Sequence, residues 1–322
     1  MIDMVEDLII IGSGPAGLTA AIYTAREDFK PLVITGVNAG GQLLLTTTVE
    51  NFPAFPDGVY GSELVDLMRK QAEKFGSRFI AEDVVSVDFS SRPFKIKTSA
   101  AEYQAKSVIV ATGASARWLG IPSEQRFVGK GISSCATCDA PFFKNKNVIV
   151  VGGGDTAMED SVFLTKFANS VTIVHRRDAF RASKIMQERA LSNPKIKVIW
   201  DSAVDEILGD SKVTGVKIKN IKSGEVTQID IDGVFVAIGY QPNTKYLAGS
   251  LALDDQGYII TKEDVRTDID GVFVAGDVAD RRYRQAITAA GSGAKAALEV
   301  REYLQRIEYT EAHPDKAKDA QN

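Results

Sequence analysis

The sequence predicts an α/β fold of two three-layer, Rossmann-like domains, the second inserted into the first. Two observations carry this prediction: a G-x-G-x-x-[GA] motif occurs twice, and each copy lies between an apolar, strand-like run and a helical pattern. The chain length of 322 residues is sufficient for two domains of ordinary size.

The two copies have the same local order of elements. Residues 7–17 read DLIIIGSGPAG and residues 147–157 read NVIVVGGGDTA, and a second short apolar strand follows each helix, at 31–35 and 170–175. This strand–turn–helix–strand context is the one that a dinucleotide fingerprint requires, whereas a single such motif could be an ordinary tight turn. The chain is therefore expected to bind two dinucleotides.

Each glycine of the motif has its own physical task. In the first copy Gly12 makes the tight turn, Gly14 lets the backbone approach a pyrophosphate, and Gly17 lets the helix pack against the strand. The free N–H groups of the helix N-terminus then face the phosphates. The same positions in the second copy are Gly152, Gly154 and Ala157.

The residues after the second strand indicate which dinucleotide each copy takes. An NAD site places an acid there, but the second copy reads HRRDAFRA with Arg176, Arg177 and Arg181. Guanidinium groups suit a 2′-phosphate, so we expect NADPH rather than NADH; the alternative is a solvated basic turn. The first copy has no acid after Thr35-Gly36, and its Gly- and Thr-rich loop predicts a larger ligand.

Three further strands end in small or acidic residues. Residues 107–117 contain a buried strand ending in Ala-Thr-Gly, and residues 233–244 contain one ending in Ile-Gly; both flank the second motif and are predicted to be the crossings between domains. Asp277 ends a third strand, where it could accept a ribityl or ribose hydroxyl or cap a helix. Residues 80–106 and 196–232 alternate apolar and polar side chains, which predicts small antiparallel sheets.

Composition excludes several classes of function. With 44% hydrophobic and 25% charged residues, a net charge of -4 and a pI of about 5.5, the chain does not favour nucleic acid or a membrane surface. No apolar run approaches the roughly 20 residues of a spanning helix. The acidic N-terminus differs from a secretory signal, so a cytoplasmic location is expected.

The only two cysteines, Cys135 and Cys138, form a C-x-x-C motif. A structural zinc site needs four ligands, and the histidines at 175 and 313 do not supply a second pair at ligand spacing. A disulfide closing so short a loop would add little stability. A redox-active pair is favoured, with Asp139 as a proton donor or acceptor or, alternatively, a turn or cap residue.

The sequence resembles the low-molecular-weight thioredoxin reductases over nearly its whole length. The motifs that carry the resemblance occur in order: GSGPAG, GGQL, TTTVENFP, CATCD, GGGDTAMED, HRRDAFRASKIM, VFVAIGYQPNT and GVFVAGDV…YRQAITAAG. The resemblance implies a homodimeric FAD enzyme. It places FAD on residues 1–114 and 245–322, and NADPH on the inserted residues 115–244, which carry the C-x-x-C motif.

The resemblance also implies the site residues. Those for FAD are Gly12, Ser13, Gly14, Pro15, Ala16, Gly17, Thr35, Gly36, Gly41, Gln42, Thr46, Asn51, Thr112, Gly113, Gly276, Asp277, Arg284, Gln285 and Ala286. Those for NADPH are Gly152, Gly154, Asp155, Thr156, His175, Arg176, Arg177, Arg181, Ile238 and Gly239.

By the same resemblance, electrons pass from NADPH through FAD to the Cys135–Cys138 disulfide. Cys138 faces the flavin, Cys135 attacks the disulfide of thioredoxin, and Asp139 handles protons. Nicotinamide and cysteines would compete for one flavin, so the inserted domain is expected to rotate about crossings at 114–117 and 238–244.

Departures from the family are small, and some alternatives stay open. Ala140 follows Asp139 where relatives commonly carry glycine, and the sequence holds no fused thioredoxin domain, so a separate thioredoxin is expected. A ferredoxin or flavodoxin reductase of this fold would lack the cysteines. A reductase of another disulfide, a non-enzymatic nucleotide sensor and an oxidase side reaction remain alternatives.

Overall fold

The structure is a computed structural model that describes residues 5–37, 39–46, 48–247 and 249–314. The described chain divides into two compact units. We call residues 5–115 together with 241–314 the outer unit, and Ala116–Tyr240 the inserted unit. No helix in the described ranges is long and apolar enough to cross a membrane.

Helices and strands alternate along the first part of the chain. Its elements are β1 (Val5–Ile11), α1 (Pro15–Ala25), β2 (Leu32–Ile34), β3 (Thr48–Val49), β4 (Val59–Tyr60), α2 (Gly61–Lys74), β5 (Arg78–Ile80), β6 (Val84–Asp88), β7 (Phe94–Thr98), β8 (Glu102–Val110) and β9 (Ala114–Ala116).

The middle of the chain repeats the alternation with shorter helices. Its elements are β10 (Ile132–Ser133), α3 (Ala136–Asp139), β11 (Asn147–Gly152), α4 (Asp155–Leu164), β12 (Ser170–Val174), α5 (Lys184–Leu191), β13 (Ile196–Ile199), β14 (Ser202–Gly209), β15 (Val213–Asn220), β16 (Val226–Asp230) and β17 (Gly233–Ala237). The chain then continues through β18 (Tyr240–Pro242), β19 (Val272–Val274) and the long helix α6 (Ala286–Ala312).

The outer unit is built on one mixed sheet. Among the described residues its strand order is β5-β2-β1-β8-β7-β6, with β19 also paired to β8. The pairs among β1, β2, β5, β8 and β19 are parallel, whereas β6, β7 and the start of β8 form an antiparallel meander. This confirms the antiparallel sheet predicted at 80–106, except that Ile80 belongs to β5. The apolar run of β1 is buried because helices and loops cover both faces of the sheet.

The inserted unit repeats this plan on a smaller scale. Its parallel sheet has the order β10-β17-β11-β12-β13, and β14, β15 and β16 form a separate antiparallel meander. The prediction that the antiparallel sheet starts at residue 196 was wrong. Ile196–Ile199 pairs in parallel with β12, because its side chains complete the core under α4 and α5.

Parallel strands end at the same edge of a sheet, which brings distant loops together. In the outer unit the residues after β1, β2, β8 and β19 share one edge. In the inserted unit the residues after β11, β12 and β17 do so. Nearly all of the predicted cofactor residues belong to these two sets of loops.

Candidate functional site: two nucleotide edges and a redox-active disulfide

The first glycine-rich turn is closely packed on one side and open on the other. A side chain at Gly12 would overlap the carbonyl of Ala111, and one at Gly17 would overlap the carbonyl of Gly12. A Cβ at Gly14 would meet nothing within 4 Å. The backbone therefore presents an open surface at the middle of the turn, as the approach of a pyrophosphate requires.

The predicted FAD residues near this turn are held together by specific contacts. The Ser13 hydroxyl donates to the Thr35 carbonyl at 3.3 Å and accepts the Gly40 N–H at 3.0 Å. A Cβ at Gly41 would lie 3.6 Å from the Cα of Gly14, so the loop after β2 passes directly over the turn. Pro15 begins α1, where its missing N–H costs nothing.

At the other end of this edge, residues that follow β19 contact residues from the first part of the chain. Gly276, which has a φ of 80°, packs against Ala16, and the Asn51 side-chain amide donates to Gln285 at 3.2 Å. Gln285 caps α6, and Ala286 is the first residue of that helix. The structure thus brings together predicted residues that are 234 positions apart.

Thr112 and Gly113 follow β8 at the same edge. Thr112 exchanges two hydrogen bonds with Asn243, at 2.9 and 2.8 Å, and the Gly113 carbonyl accepts the Asn243 N–H. Gly36, at the start of the loop after β2, has a φ of 75°, a backbone conformation that favours glycine. In the described part of the chain, Gln42 and Thr46 lie on this loop without hydrogen bonds to the other predicted FAD residues.

Two buried polar atoms at this edge fit a bound cofactor. Oδ1 of Asp277 is buried without a hydrogen-bond partner, and burial, with a smaller effect from the Asp280 charge, raises the pKa of this carboxyl to about 7. The Tyr246 hydroxyl is likewise buried without a hydrogen bond of normal geometry; burial raises its pKa, and the nearby Thr112 side chain has a smaller, opposite effect. Orphaned polar atoms are rare in native folds, so a polyol hydroxyl donating to Asp277 fits this position. Asp277 does not cap α6, which begins nine residues later.

Asp280 was not among the residues predicted from the sequence, yet it organises the segment before α6. Its carboxylate accepts the N–H groups of Arg282 and Tyr283 at 2.8 and 2.9 Å, and that of Arg284 at 3.3 Å. These bonds hold Arg284 at a φ of 49°, directly before the cap of α6. An Asp followed by its own backbone turn is a recognisable sequence signal.

The second glycine-rich turn lies in the inserted unit and is organised differently. Gly154 again faces open space, and Thr156 is half-buried in the first turn of α4. His175 is buried and stacks on Gly153, while its Nε2 donates to the Ala179 carbonyl at 3.1 Å. The Asp155 carboxylate accepts two hydrogen bonds from Ser183, a residue that the sequence analysis did not select.

The predicted phosphate-binding arginines lie on the loop after β12, at the same sheet edge as this turn. Arg176, Arg177 and Arg181 are exposed, and within the described residues none of them forms a salt bridge. Three uncompensated guanidinium groups beside an open glycine turn fit a dianionic 2′-phosphate. Ile238 and Gly239 follow β17 at the same edge, and the side chain of Ile238 is 39% exposed.

Cys135 and Cys138 form a disulfide in the inserted unit, with their Cα atoms 5.3 Å apart. Both are half-buried at the start of α3, and the Cys138 N–H donates to Sγ of Cys135 at 3.2 Å. Among the described residues, no group of three or more His, Cys, Asp and Glu side chains could hold a metal ion.

Asp139 ends α3 and is half-buried beside the disulfide. Burial raises the pKa of its carboxyl, and a hydrogen bond from Ser133 opposes this effect. The Ser133 hydroxyl also accepts the Cys135 N–H at 3.0 Å. The side chain of Asp139 makes no capping bond to the following 3₁₀ turn.

Comparison with known proteins agrees with this architecture. The profile of the family described as pyridine nucleotide-disulphide oxidoreductase matches residues 6–293. A thioredoxin reductase of Rickettsia felis is 55% identical over 304 residues, which cover 93% of this chain and 98% of the relative. One of Streptomyces coelicolor is 52% identical over 316 residues, covering 97% and 98%.

A solved structure extends the comparison to three dimensions. Thioredoxin reductase from Streptococcus pyogenes superposes with a TM-score of 0.90 at 43% identity, covering 94% of this chain and 99% of that one. The chain therefore belongs to the thioredoxin reductases of the pyridine nucleotide-disulphide oxidoreductase family.

Proposed function

We propose that this chain catalyses the NADPH-dependent reduction of the disulfide of thioredoxin, with FAD and the Cys135–Cys138 disulfide as its redox centres. The observation that carries the proposal is that disulfide, placed beside a buried acid in a chain more than half identical to thioredoxin reductases. The overall reaction consumes NADPH, a proton and oxidised thioredoxin, and yields NADP⁺ and dithiol thioredoxin.

The outer unit would hold FAD through the glycine turn, the loop after β2, and the residues around Asp277. The inserted unit would hold NADPH through its own glycine turn and the three arginines. When bound, FAD accepts two electrons from NADPH and delivers them to the Cys135–Cys138 disulfide. Because Asp277 has a raised pKa, its carboxyl can share a proton with a cofactor hydroxyl instead of standing as an unpaired buried charge.

The contacts of the cysteines support different roles for the two sulfurs. The Cys138 N–H points at Sγ of Cys135, so after reduction it would stabilise a thiolate on Cys135. That thiolate attacks one sulfur of the thioredoxin disulfide and forms a mixed disulfide, and the other thioredoxin sulfur leaves. The thiolate of Cys138 then attacks Sγ of Cys135, which restores the disulfide and releases reduced thioredoxin.

Asp139 is the acid–base group of this exchange. Its raised pKa keeps a proton on the carboxyl at a pH where an ordinary aspartate has lost it. The carboxyl can therefore protonate the departing thioredoxin thiolate, and it can take a proton from the cysteine pair in the next cycle.

Further proposals complete the cycle. Both the nicotinamide and the cysteines belong to the inserted unit and both must reach the flavin, so that unit rotates about its two crossings between half-reactions. The resemblance supports a homodimer. NADPH-driven disulfide reduction suits the reducing cytoplasm, and we place the enzyme there.

The direct test is NADPH oxidation without oxygen by the purified holoenzyme, with and without thioredoxin from the same source. We expect catalytic oxidation only with thioredoxin, and its loss in Cys135→Ser. In that variant NADPH should still bleach the flavin, because the first half-reaction does not need Cys135. Flavin bleaching in the wild type without thioredoxin-dependent turnover would contradict the proposal and point to another disulfide or electron acceptor.

Rotation has its own test. A covalent cross-link between the two units should abolish turnover and leave one half-reaction intact. Full turnover in the cross-linked enzyme would contradict the rotation and leave the reductase activity unaffected.

A further inference from the structure

The segment of residues 176–183, which we call the arginine loop, connects β12 to α5 in the inserted unit. It carries three exposed arginines, and within the described ranges none of them is paired with an acid. Long exposed side chains lose rotamer entropy when they bind a ligand, which weakens the affinity. A phosphate site therefore binds more tightly when its backbone is already fixed, because no further entropy is lost in ordering the loop. The contacts of this loop show what fixes it.

The backbone of the loop is anchored to the second glycine-rich turn. The Gly153 carbonyl accepts the N–H of Arg181 at 2.8 Å and that of Ala182 at 3.2 Å. The His175 ring fills the space over Gly153 and donates to Ala179. The turn that faces the pyrophosphate and the loop that faces the 2′-phosphate are thus parts of one framework.

Two hydrogen bonds between Ser183 and Asp155 join the end of the arginine loop to the start of α4. Oδ1 of Asp155 accepts the Ser183 N–H at 2.7 Å and the Ser183 hydroxyl at 2.9 Å. Ser183 is the N-cap of α5, and a serine there usually accepts a bond from its own helix. Its side chain makes no such bond and instead donates to the first residue of α4.

The charge of Asp155 makes this contact informative. A carboxylate at the N-terminus of α4 is favoured by the helix dipole, yet it would repel a bound pyrophosphate. The two donors of Ser183 satisfy Oδ1 and hold the carboxylate toward the arginine loop. Asp155 was predicted to touch NADPH directly, whereas its side-chain contacts support an action through Ser183.

We infer that Asp155 and Ser183 are positioning residues that hold the arginine loop ready for the 2′-phosphate, and so set the preference for NADPH over NADH. The inference rests on the proposed function, because it assumes that the arginine loop receives the coenzyme. Neither residue needs to contact the coenzyme. Loss of the contact should therefore weaken recognition of the 2′-phosphate more than binding of the rest of the nucleotide.

The test is calorimetric titration of the FAD-loaded enzyme with adenosine 2′,5′-bisphosphate and with 5′-AMP, which lacks the 2′-phosphate. In Asp155→Ala we expect adenosine 2′,5′-bisphosphate to bind about fivefold more weakly, which is roughly the net contribution of one hydrogen bond. The affinity for 5′-AMP should change less than twofold. Asp155→Asn keeps an acceptor for Ser183 and should restore the preference. Ser183→Ala loses the hydroxyl but keeps the backbone N–H, so its preference for the 2′-phosphate should lie between those of Asp155→Ala and Asp155→Asn.

The matched control is Glu159→Ala, which removes an equal charge one turn further along α4 from an exposed side chain. It should bind both ligands as the wild type does. A general electrostatic effect would instead appear equally in Glu159→Ala and in Asp155→Asn, and would overturn the inference. Unchanged preference in Asp155→Ala would also overturn it.

The outcome for the wild type separates this inference from the proposed function. If the wild type binds both nucleotides equally, the NADPH assignment fails and the inference fails with it. If the wild type prefers the 2′-phosphate and Asp155→Ala keeps that preference, only the positioning role fails. Steady-state KM values for NADPH and NADH should change in the same ratio as the two affinities.

Discussion

The two glycine-rich turns of this molecule have the same backbone plan but are secured in different ways. In the outer unit the middle residue is Ser13, whose hydroxyl joins the turn to Thr35 and Gly40. In the inserted unit the equivalent residue is Gly153, and the space of its side chain is filled by the ring of His175. A neutral hydroxyl secures the first turn, whereas a backbone carbonyl and an imidazole secure the second.

The third glycine position differs as well. Gly17 lies against the Gly12 carbonyl with no room for a methyl group, but Ala157 occupies the same place in the inserted unit. Helix α1 has to approach its strand more closely because α6 packs against its other side, through Gly293 on the Ala16 carbonyl. The difference shows that tight helix packing at this motif is a demand of the surrounding fold.

Each unit also contains a carboxyl whose pKa burial raises, and the two serve different needs. Asp277 lies in the outer unit, and its buried Oδ1 has no partner. Asp139 lies in the inserted unit beside the disulfide, where Ser133 opposes the effect of burial on its pKa. The first is suited to accept a cofactor hydroxyl, and the second to move protons.

The strongest test of the comparison is Gly17→Ala against Ala157→Gly. The added methyl group of Gly17→Ala overlaps backbone that cannot move aside, so we expect a loss of about 3 kcal/mol in stability and of most bound FAD. Ala157→Gly should cost only about 1 kcal/mol through helix propensity and keep its flavin. Flavin absorbance per chain and thermal unfolding measure both, and a fully yellow Gly17→Ala protein would contradict the packing argument.

The next largest effect concerns the pH dependence of the FAD-free protein. The folded-state pKa of Asp277 is raised from 3.8 to about 7, so this carboxyl supports stability below the unfolded pKa. That support is lost as the pH rises toward the folded pKa, because only the unfolded chain then releases the proton. Between about pH 5 and pH 7, wild-type protein should lose about 2 kcal/mol more stability than Asp277→Asn.

Thermal unfolding across this pH range is the measurement. Bound FAD should reduce the difference between wild type and Asp277→Asn, because a hydroxyl partner stabilises the ionised carboxylate. Parallel pH profiles for the two FAD-free proteins would show that Asp277 is not buried as an unpaired acid.

Gly153→Ala and Ser13→Gly test the middle residue of the two glycine-rich turns: the first adds a side chain to one turn, and the second removes the side chain from the other. The methyl group of Gly153→Ala would displace His175 and with it the loop held at Ala179, so NADP⁺ affinity should fall about tenfold with full FAD content. Ser13→Gly removes the contacts to Thr35 and Gly40 and should lower FAD content while NADP⁺ affinity is kept. Calorimetry measures the NADP⁺ affinity and absorbance measures the flavin content. Loss of FAD in Gly153→Ala, or loss of NADP⁺ affinity in Ser13→Gly, would refute the comparison.

Much of this architecture could be predicted because local patterns determine it. The apolar runs before Gly12 and Gly152 form parallel strands, and the helices after them begin at Pro15 and Asp155. The C-x-x-C pair forms the disulfide that the redox interpretation required. These features depend on periodicity, glycine geometry and spacing, which a single sequence displays.

The features that could not be predicted depend on long-range packing. Ile196–Ile199 alternates like a strand of the antiparallel meander, yet it forms the edge of the parallel sheet, where Ile196 and Val198 pack against the core of the inserted unit. The contact between Asp155 and Ser183 joins two helix N-termini 28 residues apart, and nothing local indicates it. The partnerless Oδ1 of Asp277 is likewise visible only once its surroundings are folded.

The smallest expected effect concerns Ser133, the side chain that distinguishes Asp139 from Asp277. The Ser133 hydroxyl favours the ionised form of Asp139 and so opposes the effect of burial on its pKa. Ser133→Ala should therefore raise the pKa of that carboxyl further. A rate that requires protonated Asp139 would then persist to higher pH, with a change of less than about threefold in kcat near neutral pH. The measurement is the pH profile of thioredoxin-dependent NADPH oxidation, with Ser134→Ala removing a hydroxyl one residue along as the control. A profile that moves equally in both variants, or in neither, would mean that the hydroxyl of Ser133 does not tune this acid, which leaves burial as the cause of the raised pKa of Asp139.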